Sequence, residues 1–274
     1  MTLYGIFDTI IKKEKAGDTV HTPKEYIAVF DSGVGGISVL KELIKLMPKE
    51  RYLYFGDSAN APYGSRSTKQ VQELTMAAAD MLLRRGVKAL VVACNTATAA
   101  AITLLRQTYP DTIIIGIEPA LKLAADRFPS GHIGVMATEV TLREEKFHQQ
   151  VERFPGIRLS TISVPALVGL VESGHWEDAA VRKLLEPALA PYRGKLDALV
   201  LGCTHYPFTA GIIRKLLGEG TAVLDGGEGT ARETQRRLAE QGLLYDGPGE
   251  IQLENSSPDS RILQLCMTLL EAKL

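Results

Sequence analysis

Two cysteines stand where a pair of thiols could do acid–base chemistry. Cys94 falls in Ala-Leu-Val-Val-Ala-Cys-Asn-Thr over 89–96, and Cys203 falls 109 residues later in the counterpart Ala-Leu-Val-Leu-Gly-Cys-Thr-His over 198–205. Each segment is an apolar run of strand length that ends on a thiol followed by small polar residues. A side chain just past a buried parallel strand reaches the edge where open α/β sheets hold ligands. Thiols brought together from two such edges suit an acid and a base working on opposite faces of one carbon. The third cysteine, Cys266, lies in the helical apolar stripe 262–270 and reads as a packed core thiol.

Other groups cluster at the same strand ends. Asn95 and Thr96 follow Cys94 at the start of a helical pattern, where free backbone N–H groups favour a thiolate and lower a thiol's pKa. Thr204 and His205 follow Cys203, and an imidazole there can shuttle a proton or steady a thiolate. Asp31 and Ser32 begin a turn with Gly33, Gly35 and Gly36, which allows close backbone approach and an anion at the helix start. Ser38 occupies the place where a dinucleotide fingerprint needs glycine, and a Walker A loop is absent. Pro62, Tyr63, Gly64 and Ser65 form a loop after the second strand pattern, with Tyr63 and Ser65 as hydrogen-bond donors. Thr138 and Thr141 occupy the second half's counterpart of the Asp31 loop. Glu172 ends the apolar stretch 165–172 at a turn.

Several readings remain open on these residues alone. A zinc site from Cys94, Cys203 and His205 lacks a standard spacing and a second close pair of ligands. A cysteine hydrolase built on His205 uses one thiol and leaves the other idle. Two similar lobes also suit a non-catalytic amino-acid-binding module. A one-thiol decarboxylase would use the same scaffold.

Composition narrows the class. A net charge of −1 gives no basis for nucleic-acid or membrane-surface binding. No apolar run approaches 18 residues, so a membrane-spanning helix is not expected. Residues 1–22 lack a signal-peptide core and cleavage site, and three cysteines do not make a disulfide framework, so a cytoplasmic location with reduced thiols is expected.

The elements that must position these groups follow from pattern. Apolar runs at 26–30, 52–55, 89–93, 113–117, 133–136, 159–164, 198–201 and 222–224 are mostly continuous, as in parallel strands buried on both faces. Helical periodicity at 36–46, 68–85, 98–108, 142–154, 177–191 and 230–241 alternates with them. The expected class is α/β, with two pseudo-symmetric parallel-sheet domains facing each other across a cleft. The first domain comprises 1–117 with a returning segment 228–274, residues 1–24 being an extension of unassigned role. The second comprises 118–227.

At these residues the chain resembles the glutamate racemases of the cofactor-independent aspartate/glutamate racemase superfamily. The resemblance runs from Tyr26 nearly to the C-terminus. It rests on Asp31-Ser-Gly-Val-Gly-Gly, Pro62-Tyr-Gly, Cys94-Asn-Thr-Ala, the stretch 165–172 and Gly202-Cys-Thr-His-Tyr-Pro. It implies that Cys94 takes the α-proton from D-glutamate and Cys203 from L-glutamate. Asp31 and His205 would assist the thiols on their respective sides, with Glu172 helping at Cys203. Asp31, Ser32, Pro62, Tyr63, Gly64, Asn95, Thr96, Thr138, Thr141, Thr204 and His205 would contact the substrate. His205 also points to glutamate, since aspartate racemases of this superfamily more often carry Glu there. The resemblance further implies no cofactor, no metal, a homodimer and a role in peptidoglycan synthesis. Two departures stand out: Ala61 before Pro62 replaces a bulkier residue, and Asp225-Gly226-Gly227 replaces Asp-Ser or Asp-Pro.

Overall fold

The computed structural model describes residues 25–117, 120–143 and 145–274. The extension expected over 1–24 lies outside the described residues.

Nine strands form two parallel sheets among the described residues. The first contains β1 (Tyr26–Asp31), β2 (Arg51–Gly56), β3 (Ala89–Val92), β4 (Ile113–Gly116) and β9 (Glu250–Asn255), in the order β4-β3-β1-β2-β9. The second contains β5 (His132–Ala137), β6 (Arg158–Ile162), β7 (Ala198–Gly202) and β8 (Ala222–Asp225), in the order β6-β5-β7-β8. Read from β4 and from β8, the two orders run fourth-third-first-second in each half. The repeat seen around the cysteines is therefore a repeat of topology. All eight expected strands are present, and β1, β3 and β7 are buried along their whole length, as continuous apolar runs require.

Strand β9 was not foreseen. Its sequence, Glu-Ile-Gln-Leu-Glu-Asn, alternates instead of running apolar, because it closes an edge and pairs only with β2. The first sheet thus has five strands where four were expected.

Helices cover both faces of the first sheet. Helices α1 (Ile37–Leu46), α10 (Gly227–Glu240) and α11 (Ser260–Glu271) share one core layer, and α2 (Thr68–Arg84) and α3 (Asn95–Thr108) share the other. Ser67 starts α2 with a reciprocal capping box to Gln70. Cys266 sits on the inner face of α11 and is fully buried, as its stripe implied.

The second sheet is flanked by α4 (Leu121–Arg127), α5 (Glu139–Arg143) and α6 (Glu145–Glu152) on one side. On the other lie α7 (Ala166–Glu172), α8 (Ala179–Leu189) and α9 (Ala210–Leu217). The helix expected over 142–154 corresponds to the two short helices α5 and α6. The apolar stretch ending at Glu172 is helix α7, with Glu172 as its last residue.

At the far edge of the first sheet, Lys88 pairs with Glu50 at 2.6 Å, both side chains almost fully buried. Lys88 also donates to the Leu243 carbonyl, and the Tyr245 N–H donates to Glu50. This network fastens the segment leading into β9 away from the cleft. No described helix is long and apolar enough to cross a membrane.

Candidate active site

All strands in each sheet run parallel, so the loops after their carboxyl ends gather along one edge. The two edges meet. Thr204, after β7, donates its hydroxyl to Asp31 Oδ2 at the end of β1, at 3.0 Å. Thr96 and Thr138, from opposite halves, share a hydroxyl contact at 3.0 Å. The Val34 N–H donates to Glu172 Oε1 at 2.8 Å. The glycines of the 33–36 turn make this approach possible. A Cβ on Gly33 would lie 1.9 Å from Glu172 Oε1, and one on Gly35 would lie 2.5 Å from both Thr204 Oγ1 and His205 Nδ1.

A cavity of ≈350 Å³ lies between the halves, within the size range of small-molecule sites. Cys94 and Cys203 both line it. So do Ser32, Pro62, Tyr63, Gly64, Asn95, Thr96, Thr138, Thr204 and His205. Three other expected site residues stand off the wall. Asp31 is fully buried beneath the Gly-rich turn, Glu172 lies behind His205, and Thr141 hydrogen-bonds Thr138 while facing a neighbouring cavity of ≈270 Å³. Ser65, Glu139, Pro165 and Val168 also line the first cavity. Pro165 and Val168 belong to the stretch that the sequence marked only through Glu172.

The two thiols sit in different surroundings. Cys94 is the N-cap of α3, its sulfur accepting from the Ala97 N–H at 3.4 Å, and its S–H donates to Ser32 Oγ at 3.5 Å. The helix start was expected to lower this thiol's pKa; instead it is pushed up to about 12. Burial is the main cause and the nearby Asp31 carboxylate the next, and together they outweigh the single amide and hydroxyl.

Cys203 does not open an α-helix as Cys94 does. A 3₁₀ turn, Tyr206–Thr209, intervenes before α9 begins at Ala210. The partner of Cys203 is a side chain instead: its sulfur lies 3.6 Å from His205 Nδ1, and His205 Nε2 lies 2.6 Å from Glu172 Oε1. Burial works against an imidazolium here, but the hydrogen bonds and charges of Cys203 and Glu172 raise His205 well above its ordinary value. Burial likewise works against the Glu172 carboxylate, and His205 with the Val34 N–H outweighs it, so Glu172 ends below its ordinary value. Asp31 behaves in the opposite way. Burial raises its pKa despite His205 and the bonds from Gly33 and Thr204.

Asn95 completes the wall. It is 5% exposed, and neither its amide nitrogen nor its carbonyl oxygen has a hydrogen-bond partner. Buried amides are rarely left so, and a donor and an acceptor side by side match a bound carboxylate and ammonium. On the opposite rim, the Tyr63 hydroxyl donates to Asp57 at 2.7 Å, which fixes the loop that carries Pro62 and Gly64.

Among the described residues no group of three or more His, Cys, Asp or Glu is arranged to hold a metal ion. The functional contacts that sequence reasoning missed are of two kinds. One is the Val34 N–H, a backbone group that no residue type signals. The other is Ser38, whose hydroxyl lies 2.8 Å from the Thr204 carbonyl across the cleft.

Comparison with known proteins agrees with this geometry. The Asp/Glu/Hydantoin racemase family profile matches residues 32–234. A glutamate racemase of Clostridium botulinum (strain Alaska E43 / Type E3) is 45% identical over 251 residues, covering 90% of this chain and 97% of its own. The crystal structure of a glutamate racemase isoform from Bacillus anthracis superposes with a TM-score of 0.80 at 32% identity, covering 91% of this chain and 95% of that one. The glutamate racemase of Francisella tularensis in complex with D-glutamate superposes with a TM-score of 0.79 at 26% identity, covering 92% of this chain and 95% of that one. With a family profile spanning most of its length, relatives this similar over nine-tenths of it and the same fold, this chain belongs to the Asp/Glu/Hydantoin racemase family.

Proposed function

We propose that this protein is a glutamate racemase that interconverts L- and D-glutamate by proton transfer between two cysteines, without a cofactor. One observation carries the reading: thiols at equivalent places in a repeated fold line one cavity, in electrostatic surroundings of opposite kind.

The chemistry follows from those surroundings. In the L-to-D direction, Cys203 starts as a thiolate with the His205 imidazolium as its counter-charge, and Cys94 starts as a thiol. The Cys203 thiolate takes the α-proton, and the electron pair left on the α-carbon spreads into the α-carboxylate. The Cys94 S–H then delivers its proton to the opposite face. The product is D-glutamate, with Cys94 now the thiolate and Cys203 the thiol, and the D-to-L direction runs the same steps backwards. An α-proton of a free amino acid is a very weak acid, so position and exclusion of water must supply much of the rate. The orphan Asn95 amide, Ser32, Thr96, Thr138 and Thr204 are placed to hold the carboxylates and ammonium, and Tyr63 and Gly64 shape the rim. Asp31 acts on the Cys94 side, and Glu172 acts through His205 on the other. The proposed lobes are 1–117 with 228–274, and 118–227. A cytoplasmic homodimer supplying D-glutamate to peptidoglycan synthesis is the setting that the family resemblance supports.

The test is proton NMR of the purified, reduced protein with L-glutamate in deuterium oxide, followed in parallel by circular dichroism. Loss of the α-proton signal together with decay of the optical signal is the expected result. No change with glutamate, but change with aspartate, would replace the substrate. Silence with both would leave a binding module or a different thiol enzyme.

A further inference from the structure

Beneath the site lies a buried phenol that the mechanism above does not use. Tyr54, on β2, is fully buried, and its hydroxyl donates to the Gly33 carbonyl at 2.6 Å. That carbonyl and the Val34 N–H belong to one peptide unit. The unit is trans, because the only cis bond among the described residues is Ala61–Pro62, so its two polar ends point in opposite directions. One end receives the Tyr54 hydroxyl from the interior of the first half. The other donates across the cleft to Glu172 Oε1, the oxygen that meets His205.

We propose that Tyr54 is a positioning residue for the Cys203 side of the site, acting through the Gly33–Val34 peptide that holds Glu172. This inference rests on the racemase reading for its kinetic test and on geometry for the rest. Gly33 has no Cβ, so little in the residue itself fixes the tilt of the peptide that follows it. Two hydrogen bonds fix it instead, and donors in series through one amide polarise each other. The neighbouring Gly56 leaves room for the arrangement, since a Cβ there would lie 2.4 Å from the Gly33 carbonyl oxygen. Asp31 from β1, Cys266 from α11, Glu172 from α7 and Cys94 after β3 are titratable groups around the phenol, and each acts to raise it. Burial, added to by these groups, raises the phenol well above its ordinary value, so it stays a donor throughout the working pH range.

A neighbouring residue provides the control. Tyr52, two residues earlier on β2, is also buried against the same core layer, and its hydroxyl lies 3.0 Å from the Leu43 carbonyl and 2.9 Å from the Met47 carbonyl. Tyr52→Phe and Tyr54→Phe remove the same atom from the same strand. Only the second touches the peptide that reaches Glu172.

The experiment compares both variants with the wild type in two ways. The first is kcat/KM for L-glutamate as a function of pH, followed by circular dichroism. The second is NMR titration of the His205 imidazole, assigned with His205→Asn. Tyr54→Phe is expected to lower kcat/KM by about three- to tenfold. It is also expected to move the alkaline limb and the His205 titration to lower pH, because a less firmly held carboxylate supports the imidazolium less. Tyr52→Phe is expected to lower the melting temperature while leaving the pH profile and His205 in place. If Tyr54→Phe behaves as Tyr52→Phe does, the proposal is overturned. If the wild type does not racemise glutamate, the functional reading fails on its own. The His205 titration then still decides: a shift confined to Tyr54→Phe upholds the positioning role, and its absence overturns it. Should Tyr54→Phe not fold, Gly56→Ala displaces the same carbonyl with the phenol in place and must give the same His205 shift.

Discussion

Cys94 and Cys203 follow corresponding strands, β3 and β7, in two copies of one strand order, yet they have been given different partners. Around Cys94 stand a hydroxyl, one backbone N–H and a carboxylate, and the thiol is held protonated. Around Cys203 stands an imidazole whose far nitrogen is tied to a carboxylate. A duplicated fold supplies two thiols at matching positions, but matching positions would give matching protonation states. A two-base proton exchange needs one acid and one base at the start of each turnover. The asymmetry resides in neighbours that are not repeated, Asp31 on one side and the His205–Glu172 pair on the other.

The comparison is broken most severely at the sulfurs. Cys94→Ala and Cys203→Ala should each lower racemisation by about 10²–10⁴-fold, the usual worth of a placed acid or base. They should differ in deuterium oxide. Cys94→Ala keeps the charged side and still exchanges the α-proton of L-glutamate without inverting it. Cys203→Ala retains a thiol with no cation beside it and exchanges D-glutamate more slowly. A fully active single variant would end the two-thiol scheme.

The next effect comes from the pair behind Cys203. Glu172→Gln removes the charge that supports the imidazolium. A hydrogen bond to a charged group is worth about 1.5–3 kcal/mol, so kcat/KM should fall roughly ten- to a hundredfold. The alkaline limb of the pH profile should move to lower pH as His205 loses its proton sooner. A drop in rate without that movement would make Glu172 a packing residue.

How much of this was legible in the sequence depended on what kind of signal carried it. Continuous apolar runs gave β1, β3 and β7, and the paired cysteine segments gave the repeat, because burial on both faces leaves a pattern in residue types. Strand β9 was missed because an edge strand that alternates Glu-Ile-Gln-Leu-Glu-Asn looks like any half-exposed segment until β2 is beside it. The strand-end motifs located the edge at which the cavity lies, and the family resemblance, not residue type alone, singled out most of the residues that line it. The protonation of Cys94 was misjudged because a helix start is visible in sequence, whereas full burial and the approach of Asp31 are not. Tyr54 and the Val34 N–H could not be read at all. One resembles any core aromatic, and the other is backbone.

The smallest effect sharpens the comparison through stability. His205 is raised in the folded protein, so its stabilisation is complete below its ordinary value of 6.5 and fades as pH rises through the higher folded value. Glu172 is lowered, so its contribution is complete above its ordinary 4.5 and fades as pH falls through the folded value. Asp31 is raised by burial and pulls the other way as pH climbs above 3.8. The difference in melting temperature between wild type and Glu172→Gln therefore isolates the pair. It should be widest between about 4.5 and 6.5 and shrink on either side. A difference independent of pH would mean that the pair is not ionised in the folded protein.

The central claim is that neighbours make the two thiols unlike, with Cys94 the one held protonated. It is tested most directly by NMR of protein labelled with [β-¹³C]cysteine, whose three signals are assigned by single Cys→Ala variants and followed through neutral pH without substrate. The account predicts a thiol shift that persists through neutral pH at Cys94, as at the buried Cys266, whose pKa is likewise pushed up to about 12, and a Cys203 signal distinct from both. A thiolate at Cys94, or coincident signals for Cys94 and Cys203, would contradict it.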